Sequence, residues 1–140
     1  MSERKTMKLS RSSIAFSVAL LVALSLSAAA LACNGALVSA GSADNGQGVA
    51  LRHGEWLVIS LKGNATTGYA WKVRSAGRAS VLKPLATKYV PNPNPTKLVG
   101  KGGVYKIRFE ALAPGTTSLK LVYARGSELG GSYTLRVVVR

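Results

Sequence analysis

The chain predicts an all-β fold, an antiparallel sandwich of short strands. Three observations carry this. From Val49 onward apolar residues recur at every second position, the spacing of a strand with one buried face. Turn signals punctuate the runs at Gly63-Asn64, Ala113-Pro114-Gly115 and Gly130-Gly131. Beyond the first 32 residues no segment carries an apolar stripe of useful length at helical spacing.

Residues 1–32 read as an export signal outside the fold. Arg4, Lys5, Lys8 and Arg11 make a positive start, an apolar stretch broken only by serines runs from Ile14 to Ala32, and Ala30-Leu31-Ala32 is a small-x-small cleavage pattern. The stretch is almost long enough to span a bilayer, so a membrane anchor is the alternative. The crowding of small residues at its end favours cleavage. The single cysteine, Cys33, follows directly. It is either the lipid-modified first residue of a bacterial lipoprotein or a free thiol. An unpaired exported thiol is a liability in an oxidising compartment, which favours lipidation. Expected locations are the periplasm or cell envelope, or secretion. Residues 33–48, rich in Gly, Ser, Ala and Asn, read as a flexible tether. Residues 49–140 then form one domain with a single core.

Alternation marks each strand in turn. In Glu55–Lys62, Leu57, Ile59 and Leu61 share a face. In Tyr69–Arg74 the set is Tyr69, Trp71 and Val73, with Trp71 expected in the core. Val104–Glu110 aligns Tyr105, Ile107 and Phe109. Ser118–Tyr123 aligns Leu119, Leu121 and Tyr123, and Tyr133–Val139 aligns Tyr133, Leu135, Val137 and Val139. The Pro91-Asn92-Pro93-Asn94-Pro95 run fits neither a helix nor a central strand, and reads as an extended loop. A sandwich would bring three segments to one end: Asn64–Tyr69, Pro91–Gly103 and Arg125–Gly131.

The chain lacks the inventory of an enzyme. It has one histidine, His53, beside Gly54 in a predicted turn, and its few carboxylates are scattered. No histidine or cysteine cluster has metal-ligand spacing, and no cofactor is implied. Gly100-Lys101-Gly102-Gly103 is not a phosphate loop, because a strand follows it where a helix is needed. The charge is lopsided, 19 Lys and Arg against 5 Asp and Glu for a net of +14. That field attracts anionic partners or surfaces. Aromatic residues do not interleave with the basic ones as in single-strand nucleic-acid readers, and no nucleic-acid partner is expected. Thr66 and Thr67 by themselves read as hydroxyls that satisfy their own turn.

Together the loops resemble those of the chagasin family of cysteine-peptidase inhibitors. That family is marked by an Asn-Pro-Thr-Thr-Gly-Tyr loop, a Gly-x-Gly-Gly loop before a strand and an Arg-Pro-Trp loop before the last strand. Here stand Asn64-Ala65-Thr66-Thr67-Gly68-Tyr69, then Gly100-Lys101-Gly102-Gly103, then Tyr123-Ala124-Arg125, in the same order from about Gly54 to Val139. The resemblance implies an immunoglobulin-like antiparallel β-sandwich whose three loops wedge reversibly into the cleft of a papain-like cysteine peptidase. It implies that Thr66, Thr67 and Gly68, flanked by Asn64 and Tyr69, face the catalytic dyad. Leu98 and Val99 would supply apolar contact, Gly100, Gly102 and Gly103 would shape the second loop, and Arg125 would remain from the third.

Two departures stand out. Ala65 replaces the family proline and removes a φ restraint. Arg125-Gly126-Ser127 lacks the proline and tryptophan, so weaker or narrower inhibition is expected. The alternative is a sandwich of the same ancestry that no longer inhibits and serves as an envelope binding module. A monomer is expected.

Overall fold

The computed structural model describes residues 35–140. The expected signal segment 1–32 and Cys33 lie outside the described residues. Eight strands occur in chain order: β1 (Leu37–Gly41), β2 (Gly48–Leu51), β3 (Trp56–Gly63), β4 (Ala70–Ser75), β5 (Leu82–Pro91), β6 (Gly103–Ala111), β7 (Gly115–Arg125) and β8 (Glu128–Val139). They make two four-stranded sheets, in the orders β1-β3-β6-β5 and β2-β8-β7-β4.

The expected alternation is what closes the sandwich. Leu57, Ile59 and Leu61 lie opposite Phe109, Ile107 and Tyr105 in antiparallel register. Leu119, Leu121, Tyr133, Leu135 and Val137 come from the other sheet, and both inner faces merge into one buried cluster. Each fully buried leucine or isoleucine there contributes about 1.5–3 kcal/mol. Trp71 is only partly buried against this core, and its indole N–H donates to the Lys62 carbonyl at 3.0 Å.

The antiparallel pairing that the sequence predicts holds for β3–β6, β5–β6, β4–β7 and β7–β8, and one edge strand of each sheet departs from it. β1 runs parallel to β3, and β2 parallel to β8. The physical reason is connectivity. β1 and β3 are separated in the chain by β2, which lies in the other sheet, so no hairpin forces them antiparallel.

The tether expected over residues 33–48 is corrected by the same strand. Leu37 to Gly41 pairs with Trp56 to Ser60, and Ala40 is buried at 7% exposure. A single 3-10 turn follows at Ser42–Asp44, where Asp44 Oδ2 accepts from the Gly41 amide at 2.7 Å. Asn45 then ties the chain to β8, its Oδ1 accepting from the Thr134 amide at 2.9 Å. The domain therefore begins before residue 49.

β5 was not visible in the sequence pattern. It is an edge strand with Pro84 within it and Pro91 at its end, and most of its residues are exposed. Proline is tolerated at an edge because no ladder donor is required on the open side. The proline-rich run is thus part strand and part loop, with Pro91 as the boundary.

Candidate functional site

Strand register brings three connections to one end of the sandwich. Gly63 at the end of β3 pairs with Gly103 at the start of β6, which also pairs with Pro91 at the end of β5. Arg125 and Glu128 close the β7–β8 hairpin beside the Ala70–Ala124 pair that starts β4.

The first tip is organised by Asn64. It caps a 3-10 turn over Ala65–Thr67, its Oδ1 accepting from the Thr66 amide at 3.1 Å and the Thr66 hydroxyl at 2.6 Å. The Thr67 hydroxyl donates to the Asn64 carbonyl at 2.7 Å and accepts from the Tyr69 amide at 3.4 Å. Gly68 ends the turn in the left-handed conformation, φ 81°. The threonine hydroxyls therefore satisfy their own turn, while both residues remain exposed. The tip is a preformed knob of small residues despite the absence of proline at Ala65.

The second tip is folded by the two asparagines of the proline-rich run. Asn94 holds both backbone groups of Leu98, its Nδ2 donating to the carbonyl at 2.6 Å and its Oδ1 accepting from the amide at 3.0 Å. Asn92 donates from its amide to the Gly102 carbonyl at 3.0 Å and from Nδ2 to the Lys101 carbonyl at 3.3 Å. This pinned loop projects Leu98 at 62% and Val99 at 98% exposure. Gly100 and Gly102 both have positive φ, at 80° and 71°. A Cβ on Gly102 would also lie 3.2 Å from the Gly63 carbonyl. Glycine there lets the second loop lie against the root of the first. Gly103 sits where β5 and β6 meet.

The third tip is as short as a hairpin allows. Only Gly126 and Ser127 separate β7 from β8. Gly126 has φ 58°, and Ser127 is not among the residues with positive φ, the pattern of a II′ turn. Such a turn has no room for a long bulky loop. The apolar side chain nearest this tip is Leu129, 70% exposed.

Side chains tie the tips together. Asn64 Nδ2 donates to the Gly100 carbonyl at 2.9 Å, first tip to second. Arg125 donates from Nη1 to the Thr67 carbonyl at 3.3 Å, third tip to first, and from Nη2 to Glu128 Oε2 at 2.7 Å. Its guanidinium lies 4.9 Å from the centroid of the Tyr69 ring. Beneath, Tyr69 and Trp71 both pack on Tyr123, with centroids 5.3 Å and 5.2 Å away. The Tyr123 hydroxyl accepts from the Asn64 amide at 2.8 Å, and the Tyr105 hydroxyl donates to the Tyr69 carbonyl at 3.1 Å. The Glu128 carboxylate raises the pKa of the Tyr69 phenol above its usual value. In return Tyr69 and then Arg125 hold Glu128 below the usual carboxylate range. Burial raises the Tyr105 phenol.

The structure thus gathers Asn64, Thr66, Thr67, Gly68, Tyr69, Leu98, Val99, Gly100, Gly102, Gly103 and Arg125 at one end. Sequence reasoning missed Asn92, Asn94 and the two tyrosine hydroxyls as organisers. The asparagines carried a signal, since Asn and Asp are the residues that bond to nearby backbone in turns. The tyrosines carried none, because their partners are distant in sequence. His53 lies at the opposite end, its amide donating to the Arg140 carbonyl at 3.0 Å.

Among the described residues this end holds no histidine and no cysteine. What it offers is shape: three backbone-rich tips fixed in register on a stiff support. The fold and site define a loop-presenting binding protein. Comparison with known proteins makes this specific. The model of the chagasin family peptidase inhibitor I42 matches residues 50–139. Amoebiasin-2 of Entamoeba histolytica is 35% identical over 86 residues, covering 59% of this chain and 68% of that protein. Chagasin of Trypanosoma cruzi is 34% identical over 86 residues, 59% of this chain and 76% of that protein. The crystal structure of EhICP2, a cysteine protease inhibitor from Entamoeba histolytica, superposes with a TM-score of 0.66 at 26% identity, covering 78% of this chain and all of that one. The chain belongs to the chagasin family of peptidase inhibitors. That family is one of peptidase inhibitors, not of enzymes.

Proposed function

We propose that this protein inhibits papain-like cysteine peptidases reversibly, by inserting its three tips into the active-site cleft. Thr66, Thr67 and Gly68 cover the catalytic cysteine and histidine. Leu98 and Val99 make apolar contact on one side of the cleft, and Arg125 marks the tip on the other. No inhibitor bond is cut, so the complex dissociates intact. One observation carries this reading: Asn64 and Arg125 hold the first tip to the second and third through hydrogen bonds of 2.9 Å and 3.3 Å. Tips tied in this way lose little conformational freedom on binding, which keeps the entropic cost of association low.

The same proposal places the mature protein outside the cytoplasm as a monomer, delivered by residues 1–32 and held by a lipid on Cys33. Mass measurement of the mature N-terminus decides between a lipidated and a free Cys33.

The test is a titration of a papain-like peptidase. The expected result is stoichiometric or sub-micromolar loss of activity that recovers on dilution, with the inhibitor uncleaved. Thr67→Arg places a long cation at the first tip and should abolish inhibition while the protein stays folded, with Tm lowered modestly by loss of the Thr67 hydroxyl bonds. No inhibition by micromolar wild-type protein would favour a non-inhibitory envelope binding module, a reading consistent with the bare two-residue third tip.

A further inference from the structure

Both sheets are basic on their outer faces, but exposed apolar surface is divided unequally between them. The outer face of the β1-β3-β6-β5 sheet carries Lys62, Lys83, Lys88, Lys106 and Arg108 against one carboxylate, Glu110. Lys88 and Lys106 are directly opposite each other across two strands. Like charges so placed are destabilising unless something neutralises them. The one ion pair among the described residues, Arg125 with Glu128, lies elsewhere.

The same sheet exposes large apolar groups. Leu37 and Trp56, in register on β1 and β3, are 58% and 38% exposed, and Leu85 and Val90 stand exposed on β5. Arg108 lies over the Trp56 ring, 5.2 Å from its centroid. The remaining exposed large apolar residues, Leu98, Val99 and Leu129, belong to the tips. The outer face of the other sheet also carries cations, among them Lys72, Lys120 and Arg136, but its one large exposed apolar residue is Leu129, at the hairpin end.

A soluble polyanion requires cations alone. Cations interleaved with tryptophan and aliphatic side chains fit an occupant that is anionic at its surface and apolar just beneath. We propose that the outer face of the β1-β3-β6-β5 sheet docks on an anionic lipid bilayer, with Trp56 at headgroup depth and the lysines on lipid phosphates. The face is distinct from the end that carries the tips, so a docked molecule keeps them free. This inference does not depend on the inhibitory reading.

The test uses tryptophan quenching by brominated phosphatidylcholine in vesicles containing about one third phosphatidylglycerol, with the full chain. Quenching is expected in these vesicles, not in purely zwitterionic ones, and should fall steeply in 0.5 M salt. Trp56→Phe should remove the quenched emission. Lys88→Glu with Lys106→Glu should weaken binding by more than tenfold, while Lys72→Glu with Lys120→Glu on the other sheet changes it less than threefold. Quenching that survives Trp56→Phe, or equal losses from the two charge-reversal pairs, would overturn the proposal. So would binding to a soluble acidic polysaccharide with no quenching by vesicles.

Discussion

The side-chain amide of Asn64 reaches the carbonyl of Gly100 across 2.9 Å, so one residue of the first tip fixes the position of the second. The same side chain caps its own turn through Thr66. Asn64→Ala removes both roles. Tips no longer tied must be ordered on binding, so the inhibition constant should rise roughly tenfold. The lost bonds also hold the free fold, at about 1 kcal/mol each, so Tm should fall by several degrees. A matched pair of inhibition titration and thermal melt checks this, and a large fall in Tm with unchanged potency would contradict it.

Arg125 makes two contacts with its fork, to the Thr67 carbonyl and to Glu128, while lying over Tyr69. Lysine has a single ammonium and cannot hold that geometry. Arg125→Lys should therefore weaken inhibition nearly as much as Arg125→Ala, with the melting curve unchanged in both.

The pH dependence of this cluster follows from Glu128. Its pKa is lowered by Tyr69 and Arg125, so its contribution is present above the ordinary carboxylate pKa and is lost only as pH falls through the lower, folded value. The inhibition constant should be flat from pH 7 to pH 5 for wild type, measured against a peptidase active over that range. A marked weakening by pH 5 would count against an intact cluster.

The family's proline and tryptophan cannot simply be restored to the third tip. Gly126 has φ 58°, which proline cannot adopt. Gly126→Pro should lower stability by about 1–3 kcal/mol in denaturant unfolding. Ser127→Trp keeps the turn glycine and adds the aromatic group. It should tighten inhibition by roughly tenfold or more, since interface tryptophans are frequent hot spots.

Tyr133 is buried with its hydroxyl unpartnered among the described residues, and its pKa is pushed up to about 12, first by burial and then by Asp44. Tyr133→Phe should be neutral or stabilising by up to about 1 kcal/mol, because it deletes an unsatisfied polar atom. The unfolded phenol ionises near pH 10. A raised folded value gives stability that is complete below pH 10 and lost as pH rises toward 12. Wild type should therefore lose roughly 2 kcal/mol relative to the phenylalanine variant across that window. Chemical denaturation of both proteins at pH 9, 10.5 and 12 measures the difference.

The strands legible in the sequence are those whose side chains alternate between core and solvent. Leu57, Ile59 and Leu61 announce β3, and Tyr105, Ile107 and Phe109 announce β6, because each strand is central in its sheet and buries one face. β1 and β5 were illegible for different reasons. β1 buries only Ala40 fully and leaves Leu37 exposed, so its five residues show no apolar alternation. β5 exposes most of its length and contains proline, so nothing in it alternates.

The tips divide the same way. Thr66-Thr67-Gly68 and Gly100-x-Gly102-Gly103 could be read as loops because turn chemistry is local, decided by residues two to four positions apart. The ties from Asn64 to Gly100 and Tyr123, and from Arg125 to Thr67, span 36, 59 and 58 residues. By itself, then, the chain determined which segments are strands with a buried face and which are turns. Only the folded molecule decided which strands run parallel and how the three tips lock together. Those features rest on contacts between distant residues, and such contacts leave no periodic trace in a linear pattern.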